Sequence, residues 1–174
     1  MVKVLFVCLG NICRSPLAEG ILKKLAKDNN LEKEIIVDSA GTSNYHIGES
    51  SDKRAIKIGK KYGLEMGHKA RQVRLEDFKE FDYIFAMDNE NFKFLKNLEK
   101  KAQALEQTKA KIYLMREFDN LYDDEIDDSE NDAAWEVADP YYGGEVDFEE
   151  CYDTLERCNK EFLKYLQKAN SLHS

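Results

Sequence analysis

Cys8 and Arg14, with five residues between them in "CLGNICR", are the residue types that together handle phosphate: a thiolate nucleophile and a planar cation whose fork matches two phosphate oxygens. Spacing alone does not make such a unit. Cys151 and Arg157 in "CYDTLER" share the separation, but in a helix-patterned stretch without glycine, beside Asp153 and Glu156, where an anion is repelled. In "VLFVCLGNICRSP" the turn instead leaves an apolar run and meets a helix start, whose free N–H groups and dipole favour an anion. Gly10 and Asn11 tolerate left-handed backbone, so the N–H groups from Leu9 through Ile12 and Cys13 can curl into a concave nest. Cys8 facing that nest is expected to ionise more easily than a free thiol, whose pKa is about 8.5. The Ser15 hydroxyl is placed to stabilise the thiolate. Displacing a leaving oxygen from a bound phosphate would also require a proton for that oxygen. Composition cannot choose a donor among the many late acidic residues; Asp139 stands out only locally, because Pro140 disfavours helix before it and stiffens the loop. No second Cys/His cluster is spaced to complete a zinc site, so no metal is expected.

The elements that must position these residues alternate strand and helix. "VKVLFV" reads as a first strand, and Ser15-Pro16 as an N-cap with a first-turn proline, followed by a stripe of Leu17, Ile21, Leu22 and Leu25. "EIIVDSAG" reads as a second strand ending near Ser39, and "SDKRAIKIGKKYG" as a helix opened by Ser51 or Asp52 and stopped near Gly63. "FDYIFAMD" is apolar on both faces at its centre and is expected to be an interior strand. A charged helix from about Asn89 to Glu106 leads to a fourth strand, "KIYLM". A last helix from Asp147 to about Ala169 buries Phe148, Tyr152, Leu155, Phe162 and Leu166. This pattern predicts a three-layer, Rossmann-like α/β fold: a four-stranded parallel sheet flanked by helices on both faces. Ligands in such sheets bind beyond the carboxyl ends of the strands, where the Cys8 turn lies.

With 174 residues, 43% hydrophobic and 34% charged, only two prolines and no repeat or low-complexity linker, residues 1–174 are expected to form one domain. The net charge of −8 is uneven: Glu117–Glu156 holds 17 acidic residues and no Lys or Arg, which leaves +9 on the rest. That split argues against a nucleic-acid binder while allowing a local anion site, and the acidic run reads as a solvated loop. Cys151 and Cys158 would stand about 10.5 Å apart on a helix, too far to bridge. With no secretory signal and no stretch long enough to span a membrane, a reducing, cytoplasmic setting is expected.

"VLFVCLGNICRSPLAEGIL", "VDSAGTS", "GHKARQV", "FDYIFAMD" and "ADPYYGG" together resemble the low-molecular-weight protein tyrosine phosphatase family over most of the chain. The resemblance implies hydrolysis of phosphotyrosine proteins or small aryl phosphates without a cofactor. Cys8 would attack phosphorus while Asp139, on the family's general-acid loop, protonates the departing tyrosine; Asp139 would then activate water against the cysteinyl-phosphate. Arg14 and the loop N–H groups would hold the equatorial oxygens. It further implies that Asn11 holds the loop's shape through Ser39 and His68, and that Tyr45, Tyr141 and Tyr142 wall the cleft. Asp88 would be a structural acid pairing Arg14 or a neighbouring loop, and Cys13 a partner for a reversible, protective disulfide with Cys8.

Departures from that family sharpen the alternatives. The acidic stretch around 119–137, "FDNLYDDEIDDSENDAAWEVA" with Trp135 near its end, is longer and more acidic than the resemblance predicts and reads either as an inert insertion or as one that rims the cleft and disfavours acidic peptides. An arginine phosphatase on the same scaffold carries threonine where this chain has Ile12, and the apolar side chain suits the tyrosine branch. An arsenate reductase needs redox cysteines after the third strand, where "AMDNENFKFLKNL" has none. A non-catalytic phosphotyrosine-binding module would not need Cys8, Arg14 and Asp139 together.

Overall fold

The computed structural model describes residues 1–121 and 135–169. The strands β1 (Val2–Cys8), β2 (Ile35–Gly41), β3 (Tyr83–Ala86) and β4 (Lys111–Leu114) form one sheet in the order β2-β1-β3-β4. Every pairing is parallel. The helices are α1 (Arg14–Asp28), α2 (Lys53–Lys61), α3 (Asp77–Glu80), α4 (Asn89–Leu105) and α5 (Glu145–Ala169), with 3-10 turns at Met115–Phe118 and Pro140–Tyr142.

The period-two alternation of a strand divides the core in two. Val4 and Phe6 of β1 and Phe85 of β3 face a core shared with Leu17 and Leu22 of α1 and with Phe148, Leu155 and Phe162 of α5. Leu5, Val7, Ile84 and Ala86 face the other way, toward Phe78, Phe81 and Leu95. β1 and β3 are interior because both their faces are apolar, as the run around Tyr83–Ala86 predicts. Phe162 ties α5 to the sheet by standing edge-on to Phe85, with centroids 4.7 Å apart. Burying a ring of this kind contributes about 1.5–3 kcal/mol.

Three boundaries differ from expectation. β2 continues past Ser39 to Gly41, because Asp38–Gly41 stay in register with Leu5–Cys8 and pairing outweighs the weak strand preference of Ser-Ala-Gly. Ser15 is not an N-cap: α1 starts at Arg14 and Cys13 occupies the cap position without a side-chain bond. The fully buried Ser15 instead accepts from Asn11 Nδ2 on its hydroxyl oxygen, which also lies within hydrogen-bond reach of Cys8 Sγ and of Ala40 O in β2. The acidic run is also not simply a solvated loop. From Glu145 onward it is helix α5, and its carboxylates meet cations of the basic body, Glu145 with Lys57 and Glu149 with Lys61. Asp119 is buried between Arg116 and Arg157, at 3.1 Å from each. Most of the expected insertion, residues 122–134, lies outside the described residues. Asp52 caps α2 by accepting from Arg54 N at 2.9 Å, and Gly63 ends the turn beyond it in left-handed conformation, φ 74°. No helix among the described residues is long and apolar enough to cross a membrane.

Candidate active site

Parallel strands bring their carboxyl ends to one edge, and the candidate site assembles there. Cys8 is the last residue of β1, Gly41 the last of β2, and Asp88 follows β3. The loop from Leu9 to Cys13 is clamped from outside: Thr42 N donates to Cys8 O at 2.9 Å, Ser43 N to Leu9 O at 3.0 Å and Asp52 N to Ile12 O at 2.8 Å. Asn11 is its left-handed residue, with φ 57°; Gly10 is not left-handed, contrary to expectation. What Gly10 provides is room, since a Cβ there would lie 3.1 Å from His46 Cδ2.

Asn11 holds this shape with its whole amide. Nδ2 donates to Ser15 Oγ at 2.8 Å and Ser39 Oγ at 3.0 Å, while Oδ1 accepts from Arg71 N at 3.0 Å and meets His68 Nε2 at 2.7 Å. Such a left-handed Asn persists where its surroundings over-determine it. Ser39 Oγ in turn donates to the buried Glu19 at 2.7 Å, and His68 Nδ1 lies 3.3 Å from Glu19 and 3.5 Å from Asp38. Glu19, Asp38 and His68 bring ligating atoms within 4.8 Å of one another. Lys23 and Arg71 already pair with those carboxylates at 2.8 and 3.1 Å, so the group reads as a closed ion-pair network behind the loop.

Cys8 Sγ lies 3.0 Å from Ser15 Oγ. Arg14 is 2% exposed, and its Nη1 donates to Asp88 Oδ2 at 2.8 Å and to Val137 O at 2.9 Å. Nη2 stands 3.5 Å from Asp139 Oδ2, and Nε is buried without a partner among the described residues. Burial disfavours the Arg14 charge, but Cys8, Asp88 and Asp139 outweigh it and hold the guanidinium above its usual value. Burial, then Asp52 and Cys8, push the Cys13 thiol far up, and burial raises Cys151 to about 12. All four cysteines are free thiols.

A cavity of about 180 Å³ opens over this group, lined by Cys8, Ile12, Arg14, Asp139, Tyr45 and Tyr141, with Tyr142 at its rim. A larger concavity of about 450 Å³ lies between α1 and β2 and contains none of these residues. The structure therefore gathers Cys8, Leu9, Gly10, Ile12, Cys13, Arg14, Asp139 and the three tyrosines at one opening. Asn11, Ser15, Ser39 and His68 lie behind it. Asp88 both pairs Arg14 and caps α4, accepting from Asn91 N at 2.8 Å. His46, Glu19 and the Val137 carbonyl were not anticipated. Glu19 had a faint signal, a lone carboxylate four residues after Ser15 on the buried side of α1; a backbone carbonyl has none. Trp135, half-buried, is absent from the cavity wall.

A family model described as low molecular weight phosphotyrosine protein phosphatase matches residues 3–172. A curated protein of that name from Gallus gallus is 45% identical over 161 residues, spanning 92% of this chain and 93% of the relative. Among solved structures, a protein tyrosine phosphatase from Entamoeba histolytica, with Hepes in its active site, superposes with a TM-score of 0.82 at 40% identity, covering 98% and 99% of the two chains. A Drosophila arginine phosphatase superposes with a TM-score of 0.81 at 36% identity, covering 95% and 98%.

Proposed function

The chain belongs to the low molecular weight phosphotyrosine protein phosphatase family, and from that premise we propose that it hydrolyses phosphotyrosine and other aryl phosphates through a cysteinyl-phosphate on Cys8. One observation carries the reading. Arg14 is buried in the wall of the cavity that Cys8 also lines, its Nη1 is fixed by Asp88 and Val137 O, and its Nε has no partner among the described residues. Nε, without a partner, and Nη2, held only by the 3.5 Å approach to Asp139, form the edge of a fork suited to two oxygens of a phosphate above the sulfur.

In the first step Cys8 Sγ forms a bond to phosphorus as the bond to the phenolic oxygen breaks, and Asp139 delivers the proton to that oxygen. In the second, water attacks phosphorus, its proton passes to the Asp139 carboxylate, and the sulfur leaves as thiolate with Ser15 Oγ donating to it. Arg14 and the backbone N–H groups of the loop stabilise the charge spread over the equatorial oxygens in both steps. Asn11, through Ser39 and His68, keeps those N–H groups convergent. The three tyrosines and Ile12 give the ester's ring an apolar wall.

The solved arginine phosphatase supports a second reading, phosphoarginine hydrolysis with the same nucleophile. Ile12 lines the cavity and is almost buried, and it offers no hydrogen bond to a guanidinium, which favours the aryl substrate. The one sheet shared by both cores supports a single domain, and a reducing, cytoplasmic setting belongs to the same proposal. The test is turnover of phosphotyrosine, phosphoarginine and phosphoserine peptides side by side, with Cys8→Ser as control. Cys8-dependent hydrolysis, fastest on phosphotyrosine, is expected. A phosphoarginine rate above the phosphotyrosine rate selects the second reading, and a folded protein without Cys8-dependent turnover overturns both.

A further inference from the structure

Arg54, in the first turn of α2, is not in the wall of the cavity, yet among the described residues no other side chain of α2 hydrogen-bonds the turn after Asp139. Its Nε donates to Asp52 Oδ1 and its Nη2 to Asp52 Oδ2, each at 3.0 Å. The same guanidinium reaches across to the turn after Asp139, where Nη2 donates to Tyr141 O at 2.8 Å and Nη1 to Gly143 O at 3.0 Å. Its carbon stands 5.6 Å from the centre of the Tyr141 ring and 4.6 Å from that of Phe148, within reach of cation–π attraction to both.

Both ends of this bridge lead to the chemistry. Asp52 N donates to Ile12 O at 2.8 Å, so the carboxylate that orients Arg54 sits on a residue bonded to the phosphate loop. At the other end, the Tyr141 peptide faces two ways. Its N–H donates to Asp139 Oδ1 at 3.1 Å, aiming that carboxylate, and its C=O is held by Arg54. Among the described residues Asp139 is otherwise tethered only by the longer 3.5 Å approach to Arg14, and its side chain is more than a third exposed. The struts from Lys57 to Glu145 and from Lys61 to Glu149 join α2 to α5 farther along, and neither reaches the Asp139 turn.

We propose that Arg54, clamped by Asp52, is the positioning residue that holds the general-acid loop in register with the phosphate loop, so that Asp139 meets the leaving oxygen. The inference rests on the phosphatase reading and deepens it. It requires a forked donor: two carbonyls and a carboxylate are served at once by a rigid, planar group, which an ammonium cannot replace fully. Loss of Arg54 would leave the nest, Arg14 and Cys8 intact and loosen only proton delivery.

The experiment is kcat/KM for aryl phosphates whose phenols span a wide range of acidity, measured for wild type, Arg54→Ala, Arg54→Lys, Asp139→Asn and the double variant Arg54→Ala/Asp139→Asn. A poorly acidic phenol needs the proton most. Arg54→Ala is expected to lose on the order of tenfold on phenyl phosphate and only about twofold on dinitrophenyl phosphate. Arg54→Lys should fall between it and wild type. Inhibition by inorganic phosphate should stay within about twofold, because the nest is untouched. The double variant should lie within about twofold of Asp139→Asn, as two changes acting through one group are not additive. Equal losses on every ester, full additivity with Asp139→Asn, or no loss at all would each overturn the proposal. Should Arg54→Ala fail to fold, Arg54→Lys carries the same comparison. Wild type without Cys8-dependent turnover refutes the phosphatase reading and this inference with it; normal wild-type turnover with a uniform Arg54 loss refutes the positioning role alone.

Discussion

Four thiols occur in the chain, and their surroundings divide them. Cys151 and Cys158 are closed into the α5 core, where burial pushes each up to about 12. Cys13 is raised by burial and then by Asp52 and Cys8. Cys8 lines the cavity beside Arg14 and Ser15. Brief treatment with iodoacetate near neutral pH should therefore carboxymethylate Cys8 and spare the other three, with inorganic phosphate slowing the reaction by occupying the nest. Peptide mass mapping reads the result, and labelling of Cys13 or Cys151 as fast as Cys8 would contradict it. This division was partly legible in the residues themselves. The Cys151–Arg157 pair, equal in spacing to Cys8–Arg14, turns out to have its arginine committed to Asp119 at 3.1 Å and its sulfur buried. Glycine, asparagine and a helix start separated the two pairs where spacing did not. The division of labour between Gly10 and Asn11 was not legible, because either residue type tolerates a left-handed turn.

Among the elements, the carboxyl end of β2 matters more than its weak sequence signal suggests. Gly41 ends the strand beside Cys8, and a Cβ built there would lie 2.7 Å from Leu9 O and 3.2 Å from Asn11 N. Both are backbone atoms of the Leu9–Cys13 loop and cannot turn aside as a side chain can. Gly41→Ala should displace the loop, lowering kcat/KM on the order of tenfold and stability by about 1–3 kcal/mol. Gly67→Ala is the control, since a Cβ there meets nothing within 4 Å and activity should not change. Steady-state kinetics and a denaturant melt check both, and unchanged activity in Gly41→Ala would contradict this account of the loop. The stripe of α1 and the buried face of α5 could be read from periodicity because apolar spacing is a local property. The true extent of β2 could not, since it depends on a partner strand distant in sequence. Ser15 looked like a cap for the same reason: its hydroxyl is claimed by Asn11 and Cys8, contacts that only the folded turn creates.

At the scale of the whole molecule, parallel topology does the gathering. It delivers Cys8, Gly41 and Asp88 to one edge, and Val137 N bonds Met87 O at 2.8 Å to bring the Asp139 loop to the same place. The alternation of strands and helices made that edge foreseeable, and the Cys8 turn was expected there. The bridge from Arg54 to Tyr141 and Gly143 was not foreseeable, because nothing near Arg54 in sequence marks a contact with a segment so far along the chain. The charge split has a structural counterpart too: a basic α2 faces the acidic start of α5. On the proposed reading, this edge builds a covalent phosphatase on Cys8. The most direct test of that central claim is rapid acid quenching during turnover of an aryl phosphate, followed by mass analysis of the digested chain. A phosphate adduct on the peptide containing Cys8, formed with wild type and absent in Cys8→Ser together with turnover, is the predicted result. Turnover that persists in Cys8→Ser, or an adduct on any other residue, would contradict the account.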